Sequence, residues 1–232
     1  MKEFSIRPAA KGYHHNYLSG LLKHTVGLMR IAHFLLKQQD SHYKGALRLI
    51  QAVEKAHKEE LWSYLKSDMP LDVRKLTWKD AIDHLYSIYY QMMEFVAKTP
   101  NYSQLICSIF FHDLGKILEY HHAGKGMDEF QFLFPSADRT ILNSRKPTGI
   151  TMDEFGALIG HIPLGIMIFT RLVEKENISI LLEDQISVLH NIAAHHGKME
   201  WGSSTKPQTL EAWLIHFCDF LDSRYDNSEA KK

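Results

Sequence analysis

FFHDLGK, residues 110–116, sets His112 and Asp113 side by side behind an apolar run, with Lys116 three residues beyond the aspartate. A carboxylate in an apolar segment is costly unless it is paired, hydrogen-bonded or bound to a cation. A metal ion is one answer, and it needs more ligands than this stretch holds.

Outward from that stretch, the pattern is helical almost throughout. Leu18, Leu21, Leu22, Met29, Ala32, Leu35 and Leu36 keep helix spacing and predict a helix over about 17–38. An amphipathic helix follows over roughly 42–65, carrying Leu47, Ile50, Val53, Ala56 and Leu61 among charges. Pro70 marks a break over 67–76, helix resumes near Trp78, and Thr99–Tyr102 punctuates again. The opening stretch belongs to a helix expected over about 103–120. Helical order fades over 121–149, a long loop holding Gly124, Gly126, Pro135, Pro147 and Gly149. Thr151 and Glu154 fit a capping box, opening a helix over about 152–175 with a kink at Pro163. Helices over about 182–194 and 209–224 flank a loop at 195–207. There is no alternating strand pattern, no internal repeat and no Gly-rich phosphate loop. The expected class is all-α.

Bulk properties narrow the function classes. With 232 residues, 45% hydrophobic and 23% charged, the chain has the composition of a soluble globular domain. Lys plus Arg and Asp plus Glu number 27 each, so a broad electrostatic grip on nucleic acid is not expected, although a local basic groove is compatible. Cys107 and Cys218 are too few for a disulfide framework, suit a reducing compartment and read as packed thiols. The N-terminus lacks the apolar core of a signal peptide. The longest uncharged run, 155–170, is 16 residues and contains His161 and Pro163, too short and interrupted for a membrane span. The expectation is a cytoplasmic protein with no membrane partner.

Fifteen histidines are an excess, and imidazole is the commonest metal ligand. Those inside or at the ends of apolar helices are His24 in LLKHTVGLM, His112, His161 in LIGHIPL, and His195 and His196 in IAAHHGK. Asp113 and Asp219, in HFCDFLD, share that setting. Helix faces and ends converge in bundle cores, where metal sites are built. Imidazole and carboxylate suit Mn, Fe, Ni, Zn or Mg, and the absence of thiolate argues against a structural zinc knot. Adjacent helical positions point about 100° apart, so His112 and Asp113 can flank one metal while the carboxylate bridges two. Lys116 falls one turn beyond His112 and is placed to hold an anionic oxygen. His33, His42, His57, His84, His190 and His216 read as core or surface residues, and His14 and His15 as structural. Asp222 is either a partner of the ligands or a surface charge.

This ordered set resembles the HD-domain metal-dependent phosphohydrolase superfamily. HHNYLSGLLKHT (14–25), GHIPLG (160–165), AAHHGKMEWGS (193–203) and HFCDFLD (216–222) are similar to the HD domain of the bacterial 3′–5′ exoribonuclease family. More distantly they resemble that of plasmid relaxases. The resemblance covers roughly 13–37 and 103–224 and implies a single HD-domain helical bundle over 1–232. Because His24 and His112 are 88 residues apart, residues 38–84 look like an inserted helical element.

The resemblance also implies roles. His24, His112, Asp113 and Asp219 would hold one divalent metal, with Asp113 bridging to a second held by His161 and His195. His196 would complete that second site or contact phosphate, and the choice between His195 and His196 as ligand stays open. Two ions per chain, from Mn, Fe, Ni, Mg or Zn, would activate water against a phosphoester of a nucleotide or short nucleic acid. Asp113 and Lys116 are the candidate catalytic residues, Lys116 by steadying the anion. Lys116, His196, Lys198 and Trp201 are the candidate substrate contacts. Trp201 would stack a base, the plain alternative being a packed indole. Arg139, Arg145 and Lys146 read as solvated loop cations. No strands precede His14, where the exoribonuclease family carries an oligonucleotide-binding barrel, which sets the expectation against processive RNA degradation. The competing readings are a polar network without metal, a non-catalytic nucleotide- or nucleic-acid-binding regulatory module, and a di-iron oxygenase of the same fold. Oligomeric state is not encoded in any of these patterns.

Overall fold

The apolar periodicity is realised as helix. The computed structural model describes residues 2–12, 14–37, 41–65, 73–121, 136 and 150–225, and within them the chain is all-α. The helices are α1 (Lys2–Ile6), α2 (Gly20–Leu36), α3 (His42–Leu65), α4 (Val73–Met93) and α5 (Tyr102–Phe111). They continue as α6 (Lys116–Glu119), α7 (Glu154–Ile159), α8 (His161–Lys175), α9 (Leu182–Ala194) and α10 (Leu210–Tyr225). A 3-10 turn covers Met199–Trp201, and two-residue strands β1 (Tyr120–His121) and β2 (Thr151–Met152) pair. Nearly all of the expected loop at 121–149, with Arg139, Arg145 and Lys146, lies outside the described residues, as does Pro70. Among the described residues no helix is long and apolar enough to cross a membrane.

By contact the chain divides into two compact units. Unit 1 is Met1–Thr25 with Asp113–Ile178, and unit 2 is Val26–His112 with Ser179–Lys232. The division falls inside the His112–Asp113 pair.

Unit 2 is a helical core. Leu28, Ala32 and Leu35 of α2, Ala46 and Ile50 of α3, and Ala81, Leu85, Ile88 and Met92 of α4 share one buried cluster. Leu105 and Ile109 of α5 and the apolar residues of α10 complete it. The three- and four-residue spacings turn one face of each helix inward, and each fully buried Leu or Ile is worth about 1.5–3 kcal/mol. The helices expected as an insertion therefore supply part of this core. In α10, Leu214, Ile215, His216, Phe217 and Cys218 are all buried, so this helix is enclosed on every side. Burial pushes both thiols up, Cys107 from its half-buried position and Cys218 from the core, as packed, unreactive thiols require. Asn101 starts α5 by accepting the Gln104 N–H at 3.1 Å.

The chain departs from the sequence expectations in three further places. The expected helix over 103–120 ends at Phe111, and a turn through residues 112–115 separates α5 from α6. The cause is close approach: a Cβ on Gly115 would stand 1.9 Å from the His161 carbonyl oxygen and 2.7 Å from the Gly165 nitrogen. The chain has to turn here to lie against the backbone of α8. The expected helix over 152–175 is two helices. Asp153, not Thr151, is the cap, its Oδ1 accepting N–H from Phe155 at 3.0 Å and Gly156 at 2.8 Å. Gly160, at φ +82°, ends α7, and Pro163 sits in the first turn of α8, where its missing N–H costs nothing. Thr151 instead pairs with His121, and Met152 with Tyr120, in the short antiparallel ladder that the sequence did not announce. The Arg7 guanidinium donates to the Tyr120 carbonyl at 2.6 Å, tying the N-terminal segment to β1. In unit 2, α4 begins at Val73, five residues before the expected resumption near Trp78.

Candidate metal centre

The Gly115 turn buries Asp113 in unit 1, with 1% of its surface exposed. Its two carboxylate oxygens face different histidines. Oδ2 lies 3.4 Å from His24 Nε2, on α2, and Oδ1 lies 3.6 Å from His161 Nε2, at the start of α8. Both separations are long for a hydrogen bond. They are close to the 3.0–3.5 Å or so between two ligand atoms that share an ion at about 2.1 Å each. The donor set, one carboxylate between two imidazoles, fits a hard or borderline divalent cation on either side of Asp113.

Lys116 pairs with the same carboxylate: its buried ammonium donates to Asp113 Oδ2 at 2.5 Å. The break in the helix sets this i,i+3 pairing. Glu119 is a residue the sequence reading missed. It is buried in α6 and accepts from His161 Nδ1 at 2.9 Å, a carboxylate–imidazole contact that orients the ring and turns Nε2 towards Asp113. The clue lay in KILEY (116–120), where an acidic residue interrupts an apolar stretch. His15 is buried, its Nδ1 2.7 Å from the Tyr17 hydroxyl, and the His14 and His15 rings stand 5.0 and 5.8 Å from that of His24.

In unit 2 two further candidates end their helices by one device. His112 caps α5 and donates Nδ1–H to the Ile109 carbonyl at 2.6 Å; His195 caps α9 and donates Nδ1–H to the Ile192 carbonyl at 2.8 Å. Each ring satisfies a carbonyl that a helix end leaves exposed. A carbonyl only accepts, so the proton is assigned to Nδ1 and the Nε2 lone pair faces away from the helix. Helices α5 and α9 pack together, and the two rings meet edge to face with centroids 5.0 Å apart. Buried Asn191 of α9 ties them, donating to the Ser108 hydroxyl at 3.0 Å and accepting from Thr209 at 3.2 Å. The His196 ring stands edge-on to that of His195, centroids 4.2 Å apart, and donates Nδ1–H to the Trp201 carbonyl at 2.6 Å. Asp219 is half-buried on α10, and its charge raises the pKa of His216 against the dominant effect of burial. Asp222 is buried on the same helix against Gly27, where a Cβ would meet its carboxylate, so it is not a surface charge.

His84 and His216 were expected as ordinary core or surface residues, and they form a relay. His216 donates Nδ1–H to the His195 carbonyl at 2.9 Å, so its Nε2 accepts from His84 Nε2–H, also at 2.9 Å. Burial holds His216 down at about 4, and burial with the neighbouring His216, Lys198 and Arg224 charges holds His84 down at about 3. Burial likewise lowers His42 and His190, whose Nε2 accepts the Gln208 N–H. These groups stay neutral in the folded unit while the unfolded chain takes up protons near pH 6.5. Stability is therefore full above pH 6.5 and is lost as pH falls towards 4. All four tryptophans fall in unit 2 by number, so urea unfolding followed by tryptophan fluorescence reports on it. We expect the urea midpoint to fall steadily between pH 7 and 5, with more than one proton taken up on unfolding. A flat profile would contradict the neutral relay.

Comparison with known proteins gives this geometry a context. The chain is 30% identical over 155 residues to the 3′-5′ exoribonuclease YhaM of Bacillus pumilus, covering 61% of this chain and 46% of that protein. It is 27% identical over 147 residues to the protein of the same name in Bacillus subtilis, covering 58% and 44%. A Geobacillus YhaM is 30% identical over 124 residues, covering 53% and 30%. Over these spans the chain is similar to bacterial 3′-5′ exoribonucleases, and it spans less than half the length of these curated relatives. No protein-family model and no solved structure matches it.

Proposed function

We propose that this chain is a metal-dependent hydrolase of phosphodiester bonds in nucleic acid, an HD-type domain that works on the end of a short or single strand. The observation that carries the reading is Asp113, buried with one carboxylate oxygen towards His24 and the other towards His161. The similarity to 3′-5′ exoribonucleases supports the substrate class.

In this reading His24, His112, Asp113 and Asp219 would hold one divalent ion, and Asp113, His161 and His195 would hold a second. Bound ions of this kind supply Lewis acidity, polarising a phosphoryl oxygen and acidifying water near neutral pH. The protein's own share is to fix the donors. The Nδ1–H bonds of His112, His161 and His195 set which nitrogen carries the lone pair. Lys116 shares Asp113 Oδ2 in the ion-free chain and passes to a phosphate oxygen when substrate adds negative charge. His196, Lys198 and Trp201 contact the substrate, and the cytoplasm is the compartment that suits the two free thiols.

The test is metal content on protein purified without chelator or immobilised nickel, beside hydrolysis of a short RNA and of bis(p-nitrophenyl) phosphate with Mn supplied. We expect about two ions per chain, falling towards one in His161→Ala. No ion after reloading with Mn or Fe, together with no hydrolysis, would overturn the reading.

Glu119 gives a second check that does not depend on turnover. Removing a carboxylate that orients a ligating imidazole costs about 10–100-fold in metal affinity. Glu119→Ala is expected to weaken one of the two ions by that range in equilibrium dialysis and to leave the other unchanged. Glu119→Gln, which keeps an acceptor for His161 Nδ1–H, is expected to fall between. Equal loss of both ions would mean that Glu119 supports the fold of unit 1 rather than one ligand.

A further inference from the structure

Unit 2 carries a row of aromatic rings and cations around Trp201 and Lys198, two of the substrate contacts proposed above. Trp201, in the 3-10 turn, keeps 41% of its surface exposed. The Lys198 ammonium lies over its ring at 4.5 Å. Phe220 of α10 is stacked with it, nearly parallel at 9° with centroids 5.8 Å apart. The Arg224 guanidinium lies over Phe220 at 5.6 Å, and the His84 ring stands edge-on to both aromatics at 4.7 Å. The row is thus cation, indole, phenyl, cation, backed by an imidazole from α4.

The turn that carries the indole is fixed by its own backbone. Gly197, at φ +75°, faces the His216 ring, where a Cβ would stand 2.2 Å from Nε2, so no larger residue lets the chain turn there. The His196 ring holds the Trp201 carbonyl, Ser203 N–H bonds back to Lys198, and Ser204 N–H bonds to Ala193. The indole packs on Phe220 and His84 with part of its surface and leaves the rest open to a further ring. The histidine that holds it is the neighbour of His195.

We propose that Trp201, backed by Phe220 and flanked by Lys198 and Arg224, is a stacking platform for a base of single-stranded nucleic acid. The cations take the phosphates on either side of that base. Every base has a π-face, so such a platform accepts a strand without choosing its sequence. Lys198 is exposed, so it can leave the indole for a phosphate without breaking a buried contact. Arg224 is also exposed, and its fork suits phosphate oxygens. His84, held neutral, adds bulk and no competing charge. This inference rests on the nucleic-acid part of the reading above and names where the strand is held.

Binding of a short polyadenylate strand to the full chain in EDTA tests it without turnover or metal. We expect the strand to quench tryptophan fluorescence, and Trp201→Leu to lose that quenching and bind roughly 5- to 100-fold more weakly. Trp201→Tyr should recover much of the affinity, which also guards against a simple folding defect. Lys198→Ala should flatten the dependence of log K on log salt by about 0.7, one phosphate contact on a single strand. Equal affinity of Trp201→Leu and the parent chain would overturn the platform and leave the indole as packing. Adenosine monophosphate binding as tightly as the strand would overturn the strand as ligand. Because the assay contains no metal, loss of the hydrolytic reading alone would leave these results unchanged.

Discussion

Asp113→Asn is expected to lower phosphodiester hydrolysis by about a thousand-fold or more and to leave the chain with less than one firmly held ion. The amide cannot offer one anionic oxygen to an ion shared with His24 and another to an ion shared with His161, the two imidazoles that face the carboxylate at 3.4 and 3.6 Å. Losing about 4 kcal/mol of charge stabilisation in the transition state is three powers of ten in rate. The same change should destabilise the ion-free protein, for a separate reason. Lys116 is buried with its ammonium 2.5 Å from Asp113 Oδ2, and cutting one side of a buried ion pair costs about 3–5 kcal/mol. Adding Lys116→Met to Asp113→Asn is therefore expected to restore much of the urea midpoint and none of the hydrolysis. If the double variant regained activity, the carboxylate would be a structural partner of Lys116 and nothing more.

Gly115→Ala is the second change with a large expected effect. The added carbon would meet backbone, the His161 carbonyl at 1.9 Å and the Gly165 nitrogen at 2.7 Å, so no side chain can swing aside to admit it. Overpacking of this kind costs about 1–3 kcal/mol and more where backbone must move. The segment that has to retreat carries His161 at its tip. We expect a fall of several degrees in melting temperature and a loss of ion binding confined to the site that uses His161. A variant that melts like the parent chain and holds both ions would show that α6 and α8 do not need their close approach.

The sequence made some of this legible and hid the rest for identifiable reasons. Helices over 42–65 and 182–194 were read to the residue, because their apolar faces repeat cleanly and are bounded by turn residues. The ligand candidates stood out as histidines and aspartates inside apolar words. What stayed hidden depends on contacts between segments distant in the chain. Nothing local in FFHDLGK requires a break, and the break is imposed by the backbone of α8 some fifty residues on. Glu119 acquires its role only when α6 lies beside the start of α8. Asp153 outcompeted the Thr151–Glu154 box because Thr151 was drawn into a ladder with His121. The relay from His84 to the His195 carbonyl joins residues 132 positions apart, which no periodicity encodes.

The ladder between β1 and β2 has an engineering consequence. His121 and Thr151 are paired neighbours, so the stretch between them leaves and rejoins the domain at one doorway. Ends paired in this way hold their register through their own backbone bonds, whatever number of residues separates them along the chain. For flexible loops in general, closure cost changes by only about 0.6 kcal/mol for each halving of length. A chimera that takes its residues between His121 and Thr151 from a related chain should keep this pairing and melt close to the parent chain.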